Sequence, residues 1–190
     1  MKIGLYFGSF NPVHIGHLII ANHVLNETDL DKIWFIVSPQ NPFKQNNSLL
    51  NEYDRLHLLR TAIDDDPRMR VSDIEFYLPK HSYTTNTLTY LEEKYPEENF
   101  FIIMGSDSFQ NIDKWKNYER IINNYKIYVY KRKGFDVMNS KTAGIKILDA
   151  PLLEISATNI RQLVKQGKSI RYMVPEKIRE EIEGNLFFKK

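Results

Sequence analysis

Short apolar runs of strand length alternate with longer segments of helical spacing, and this alternation constrains the fold more than any other feature. The clearest runs are residues 3–7, 33–37, 100–104 and 127–130, with weaker ones at 70–74 and 145–148. Between them, Leu18, Ile19, Ala21, Asn22 and Leu25 follow a helical stripe. Leu56, Leu59, Arg60 and Ile63 do the same within 53–63, and Leu88 and Leu91 stand three apart within 87–95. Later helices are expected over 118–122, 158–165 and 175–182, the last opening on Pro175 and Glu176, which suit a first helical turn. Strand and helix in alternation predict βαβ units, hence a Rossmann-like three-layer α/β/α fold around a mostly parallel sheet. At 190 residues the chain is expected to form one domain, with no internal repeat or linker. Two polar connections, 39–51 and 132–144, are longer than ordinary loops of such units.

Composition removes several function classes. Lys and Arg number 26 against 24 Asp and Glu, so no strong field predicts nucleic acid or an anionic membrane as partner. With no cysteine, disulfides, thiolate zinc sites and a cysteine nucleophile are excluded. The N-terminus lacks a signal-peptide pattern and no apolar run reaches membrane-spanning length, so a cytoplasmic protein is expected.

Directly after the first strand comes GSFNPVHIGH, residues 8–17. It falls at the carboxyl edge of the expected sheet, where open α/β sheets bind ligands. Gly8 permits a tight turn, Pro12 stiffens the approach, and Gly16 lets another group come close to the helix start. Unpaired N–H groups at a helix N-terminus favour an anion. His14 and His17, three apart, can present two imidazoles to one ligand. A single histidine here would read more simply as structural, and a metal pair lacks a third ligand at motif spacing. The pair together with both glycines favours a phosphate.

Near the other end, ISATNIR spans 155–161. Ser156 or Thr158 can cap the following helix, again leaving N–H groups for a phosphate, with Arg161 adding charge. In isolation this is a common N-cap. In the middle, Gly105 and Asp107 follow a strand at another carboxyl edge, where a carboxylate can accept from ribose hydroxyls or simply cap a turn. Trp115 stands among Asp113, Lys114, Lys116 and Asn117, polar company that suits a ring at the rim of a site.

His14-Ile15-Gly16-His17 resembles the HxGH signature of the nucleotidyltransferase superfamily, and 155–161 resembles its ISSTxxR motif with Ala157 in place of a serine. Three further segments resemble bacterial nicotinate-nucleotide adenylyltransferases: SPQNPFK (38–44), SYTTNTL (82–88) and GSDSFQNIDKW (105–115). The likeness runs from residue 1 to about residue 182, with departures at Asn86, where the family has Asp, and Lys116, where a tyrosine often follows the tryptophan.

That resemblance implies transfer of AMP from ATP to nicotinate mononucleotide, giving deamido-NAD and pyrophosphate. It implies that Gly8, Ser9, Phe10, His14, Gly16, His17, Gly105, Asp107, Ile155, Ser156, Thr158 and Arg161 contact ATP. His14 and His17 would hold the α- and β-phosphates, and Arg161 would join them in catalysis. Thr84 and the main chain around Trp115 and Lys116 would bind the nicotinate carboxylate, with the Trp115 indole on the pyridine ring. Lys44 and Arg132 would contact the mononucleotide phosphate. Mg²⁺ is expected to arrive on ATP, with no protein ligand assigned. The sequence is also compatible with a homo-oligomer, and two rivals remain: phosphopantetheine adenylyltransferase and a noncatalytic nucleotide-binding regulator on the same fold.

Overall fold

The computed structural model describes residues 1–39, 49–79, 83–135, 137, 144–151 and 154–189. Six strands form one parallel sheet: β1 (Lys2–Gly8), β2 (Lys32–Val37), β3 (Met69–Ser72), β4 (Asn99–Gly105), β5 (Ile127–Tyr130) and β6 (Ile145–Leu148). Their order is β3-β2-β1-β4-β5-β6, so the winding reverses between β1 and β4. The crevice outside the carboxyl ends of those two strands is the ligand position such topology creates.

The helices are α1 (Ile15–Glu27), α2 (Glu52–Ala62), α3 (Thr84–Lys94), α4 (Ser106–Phe109), α5 (Tyr118–Asn124), α6 (Ala157–Lys165) and α7 (Glu176–Gly184). Side chains alternate across the pleat and feed two cores. Ile3, Leu5, Trp34, Ile36, Ile102 and Val129 meet Leu88 and Leu91 of α3 and Ile121 of α5. Tyr6, Ile33, Phe35, Ile103 and Tyr130 meet α1, α2, α6 and α7 through Val24, Leu59, Ile160 and Ile178. The result is the expected three-layer α/β/α arrangement.

Local rules explain most boundaries. Asn51 caps α2, its side-chain oxygen accepting from the Tyr53 N–H at 2.9 Å, and Glu52 and Asp54 occupy the positive first turn. Helix α3 begins at Thr84, earlier than the expected 87, because Tyr83 supplies an extended N-cap and the buried inner face starts with polar side chains. Thr85 and Thr87 are both buried, and the Thr87 hydroxyl donates to Glu75 Oε1 at 2.9 Å. Apolar spacing could not see that turn. Strand β3 stops at Ser72 rather than 74, since Ile74 enters a 3₁₀ turn, Ile74–Tyr77, that buries it in the α3 core. Pro175 stands at the N-cap of α7, one residue outside the expected start.

Candidate active site

The turn after β1 is unusual backbone. Phe10 adopts a left-handed φ of 46°, which a bulky residue rarely does, and the Asn11–Pro12 bond is cis. Phe10 points inward at 2% exposure and packs edge-on beneath the His17 ring, 5.1 Å between centroids. His14 is the extended N-cap of α1, and its N–H donates to His17 Nδ1 at 3.2 Å. The two imidazoles stack at 3.7 Å. A Cβ on Gly16 would sit 3.0 Å from His14 Nδ1, so glycine is what allows the ring to lie over the helix start.

This geometry fixes protonation. Burial, and then the Arg132 charge, push the His14 pKa down to about 4. Burial, then His14 and Arg132, hold His17 well below its ordinary value. Both rings are therefore neutral at pH 7. Because His17 Nδ1 accepts a hydrogen bond, its neutral form carries the proton on Nε2, an oriented donor.

The two phosphate-like motifs, remote in sequence, share one cleft. A cavity of about 350 Å³ is lined by His14, Gly16 and His17 from one end of the chain and by Ile155 and Ser156 from the other. Ser156 caps α6, its Oγ accepting from the Asn159 N–H at 3.2 Å. Arg161 reaches back to the opening turn, where Nη1 donates to the Asn11 carbonyl at 2.8 Å and Nη2 to Thr158 Oγ1 at 3.2 Å. The cleft also takes in Arg132, whose charge acts on both histidines, and Lys133, which is paired with Glu154.

Gly105 ends β4, and Asp107 lies in the first turn of α4, where its Oδ2 accepts from Arg132 Nη1 at 2.9 Å. A Cβ on Gly105 would stand 3.0 Å from Arg132 Cδ. Arg132 thus lines the same cleft as the histidines rather than standing with the residues expected to hold nicotinate. Gly8 closes β1, and the Ser9 carbonyl turns away to Arg55 at 2.6 Å.

A second group gathers at the start of α3. Thr84 is its first residue, Trp115 follows the 3₁₀ turn Ile112–Lys114, and Lys116 Nζ lies 4.5 Å over the Tyr83 ring. Trp115 is half-buried against the α3 core, so it combines packing with an exposed edge. Its own N–H donates to Ile112 O at 2.9 Å. None of these three lines the histidine cleft. Lys44 lies outside the described residues.

Several cleft residues escape a motif reading. Tyr6 and Tyr130, with hydroxyls 3.2 Å apart, form part of its wall yet sit in strands that read only as core. Lys131 and Lys133 also line it. Their signal is positional, a basic run immediately beyond the carboxyl end of a parallel strand. Arg55, at 0% exposure, is hidden in a helix whose other buried positions are leucines.

The cytidylyltransferase-like family model matches residues 5–163. A relative named as a probable nicotinate-nucleotide adenylyltransferase from Cytophaga hutchinsonii is 52% identical over 191 residues, covering 99% of this chain and 98% of that protein. One of the same name from Flavobacterium psychrophilum is 48% identical over the full length of both chains. The structure of Plasmodium falciparum nicotinic acid mononucleotide adenylyltransferase, complexed with NaAD, superposes with a TM-score of 0.84, covering 99% of this chain and 97% of that one. At 18% identity that likeness speaks for the fold alone. With the family model over residues 5–163 and relatives aligned from end to end, this chain belongs to the nicotinate-nucleotide adenylyltransferase family of cytidylyltransferase-like proteins.

Proposed function

We infer that this chain transfers the adenylyl group of ATP to nicotinate mononucleotide, giving deamido-NAD and pyrophosphate. The observation that carries the reading is the convergence of His14, His17, Ile155 and Ser156 on one cleft at the carboxyl edge of the sheet. Relatives up to 52% identical across the whole chain carry the corresponding name.

A phosphate oxygen of the mononucleotide forms a bond to the α-phosphorus as the bond to the bridging oxygen breaks. Pyrophosphate leaves with that oxygen and its electron pair. The nucleophile is already an anion at neutral pH, so the protein's work is placement and charge stabilisation. His17 Nε2–H donates to the α/β-phosphate region, where negative charge builds, and its neutrality avoids the need to bury a cation before ATP arrives. The N-terminus of α6 with Ser156 and Thr158 receives the β- and γ-phosphates, and Arg161 braces that turn against Asn11. Thr84, Trp115 and the Lys116 amide take the nicotinate ring and its carboxylate.

The donors facing the cleft are imidazole, guanidinium, ammonium and hydroxyl groups, and Glu154 there is bound to Lys133. That set fits Mg²⁺ entering on the triphosphate with most of its waters, not a protein-held ion. When bound, the ion neutralises phosphate charge. We read the protein as cytoplasmic, and no helix among the described residues is long and apolar enough to cross a membrane.

Initial rates with ATP and, in parallel, nicotinate mononucleotide, nicotinamide mononucleotide and phosphopantetheine test the reading. The acid mononucleotide should be used best. Preference for phosphopantetheine, or no transfer to any acceptor, would overturn it.

A further inference from the structure

Arg55, on α2, is the largest fully buried side chain among the described residues. Its acceptors there are main-chain carbonyls: Nε donates to Leu50 O at 3.0 Å, Nη1 to Ser9 O at 2.6 Å and Ser38 O at 2.8 Å, and Nη2 to Pro39 O at 2.9 Å. None of these acceptors is a carboxylate. Burial pushes the guanidinium pKa down to about 10, the mark of a charge held where charge is disfavoured. An apolar side chain of similar volume usually stabilises a core as well or better, so stability alone does not account for a guanidinium here.

What an apolar side chain cannot do is hold several carbonyls at fixed angles, which the planar fork does. The β1–β2 ladder ends at the pair Gly8 and Val37. Beyond it, Arg55 Nη1 bridges Ser9 and Ser38 and continues the pairing with a side chain. Drawing the Ser9 carbonyl toward Arg55 turns the Phe10 N–H the opposite way across the planar trans peptide. Phe10, the next residue, is in the left-handed conformation, with its ring edge-on to His17. From the other side, Arg161 grips the Asn11 carbonyl, so two guanidiniums clamp the same three-residue turn.

We propose that Arg55 is a positioning residue for adenylyl transfer: through the Ser9 carbonyl it fixes Phe10 beneath His17 and so sets the imidazole against the triphosphate. The proposal rests on the adenylyl-transfer reading for its reaction, whereas its ATP-binding arm stands without an acceptor.

Arg55→Lys, Arg55→Ala and, as a packing control on the same helix, Leu59→Val would be compared for thermal unfolding, kcat, KM and calorimetric ATP affinity. In Arg55→Ala, kcat and ATP affinity should each fall about tenfold or more. Guanidinium chloride at about 10 mM should restore much of both, where sodium chloride at the same concentration does not. Arg55→Lys, which keeps the charge and stem without the fork, should unfold cooperatively yet lose at least about threefold in kcat. It serves as the test should the alanine variant fail to fold. Leu59→Val should lower the unfolding temperature and keep kcat within about twofold. Wild-type kcat and ATP affinity in Arg55→Lys, or guanidinium raising the unfolding temperature of Arg55→Ala without its rate, would overturn the proposal. If the wild type binds ATP but transfers to no acceptor, the functional reading fails, and an ATP affinity unchanged in both Arg55 variants would then overturn the positioning role separately.

Discussion

His14 stands at 4% exposure, stacked on His17 over a turn held by two arginines, whereas Thr84 and Trp115 are half-buried and Lys116 is exposed. The histidine turn of the candidate ATP half is thus cross-linked to the sheet edge, while Ser156 and Thr158 at the start of α6 stand exposed. The acceptor half is made of side chains at the start of α3 and just after the 3₁₀ turn Ile112–Lys114. The difference matches the chemistry asked of each. Charge develops at the α-phosphate, where a donor that must reorient would waste its advantage, while ring recognition tolerates a looser platform. Breaking the first half should therefore cost rate, and breaking the second should cost affinity for one substrate.

The largest effect is expected for His17. His17→Asn retains an acceptor for the His14 N–H while removing the Nε2 donor, so the variant should fold and lose on the order of 10²–10³ in kcat. Steady-state rates beside an unfolding curve check this, and a rate within a few-fold of wild type would shift catalysis to Arg132, Lys133 or the α6 N-terminus.

Acid sharpens the same contrast. The His14 pKa lies near 4 in the fold against an ordinary 6.5, so the unfolded state binds more protons between those values. That histidine's contribution to stability is fully present above pH 6.5 and is lost as pH falls toward 4. Between pH 7 and 5 it should cost about 2 kcal/mol. Denaturant titrations at both pH values measure it, and His14→Asn should remove that share of the slope.

For the acceptor half, Trp115→Ala should raise the KM for nicotinate mononucleotide by up to about tenfold, the size of one aromatic contact, with the KM for ATP nearly unchanged. A larger loss for ATP would mean that the two halves are mechanically joined through α4 and β4.

How legible each half was in the sequence follows from the kind of contact that builds it. The strands and the His14–Gly16–His17 turn could be read because apolar periodicity and backbone demands leave a mark in residue type. Ser156 was visible as a cap for the same reason. Arg55 was not: nothing local distinguishes a buried arginine from a solvated one on α2, and its acceptors are carbonyls, which every residue owns. Thr85 and Thr87 hid the first turn of α3 because inward polar side chains break the apolar count. Arg132 carried a charge signal but no direction. Its ion pair with Asp107 and its place beside the histidines depend on β4 and β5 being neighbours, a fact of topology.

The smallest expected effect tests whether the ATP half is complete. Ala157 is the first residue of α6, beside the Ser156 cap, where the related motif carries a hydroxyl. Its backbone N–H persists whatever the side chain, so ATP binding does not depend on the missing group, and a restored hydroxyl adds one hydrogen bond at most. Net values of such bonds in water-accessible sites lie near the low end of about 0.5–1.5 kcal/mol, so Ala157→Ser should tighten ATP by about twofold to threefold. The KM for nicotinate mononucleotide should stay as it is. A tenfold gain would mean that α6 is under-supplied with donors in this chain and that Lys133 or Arg132 carries the terminal phosphates. No change would mean that the α6 N-terminus is already saturated by main-chain groups.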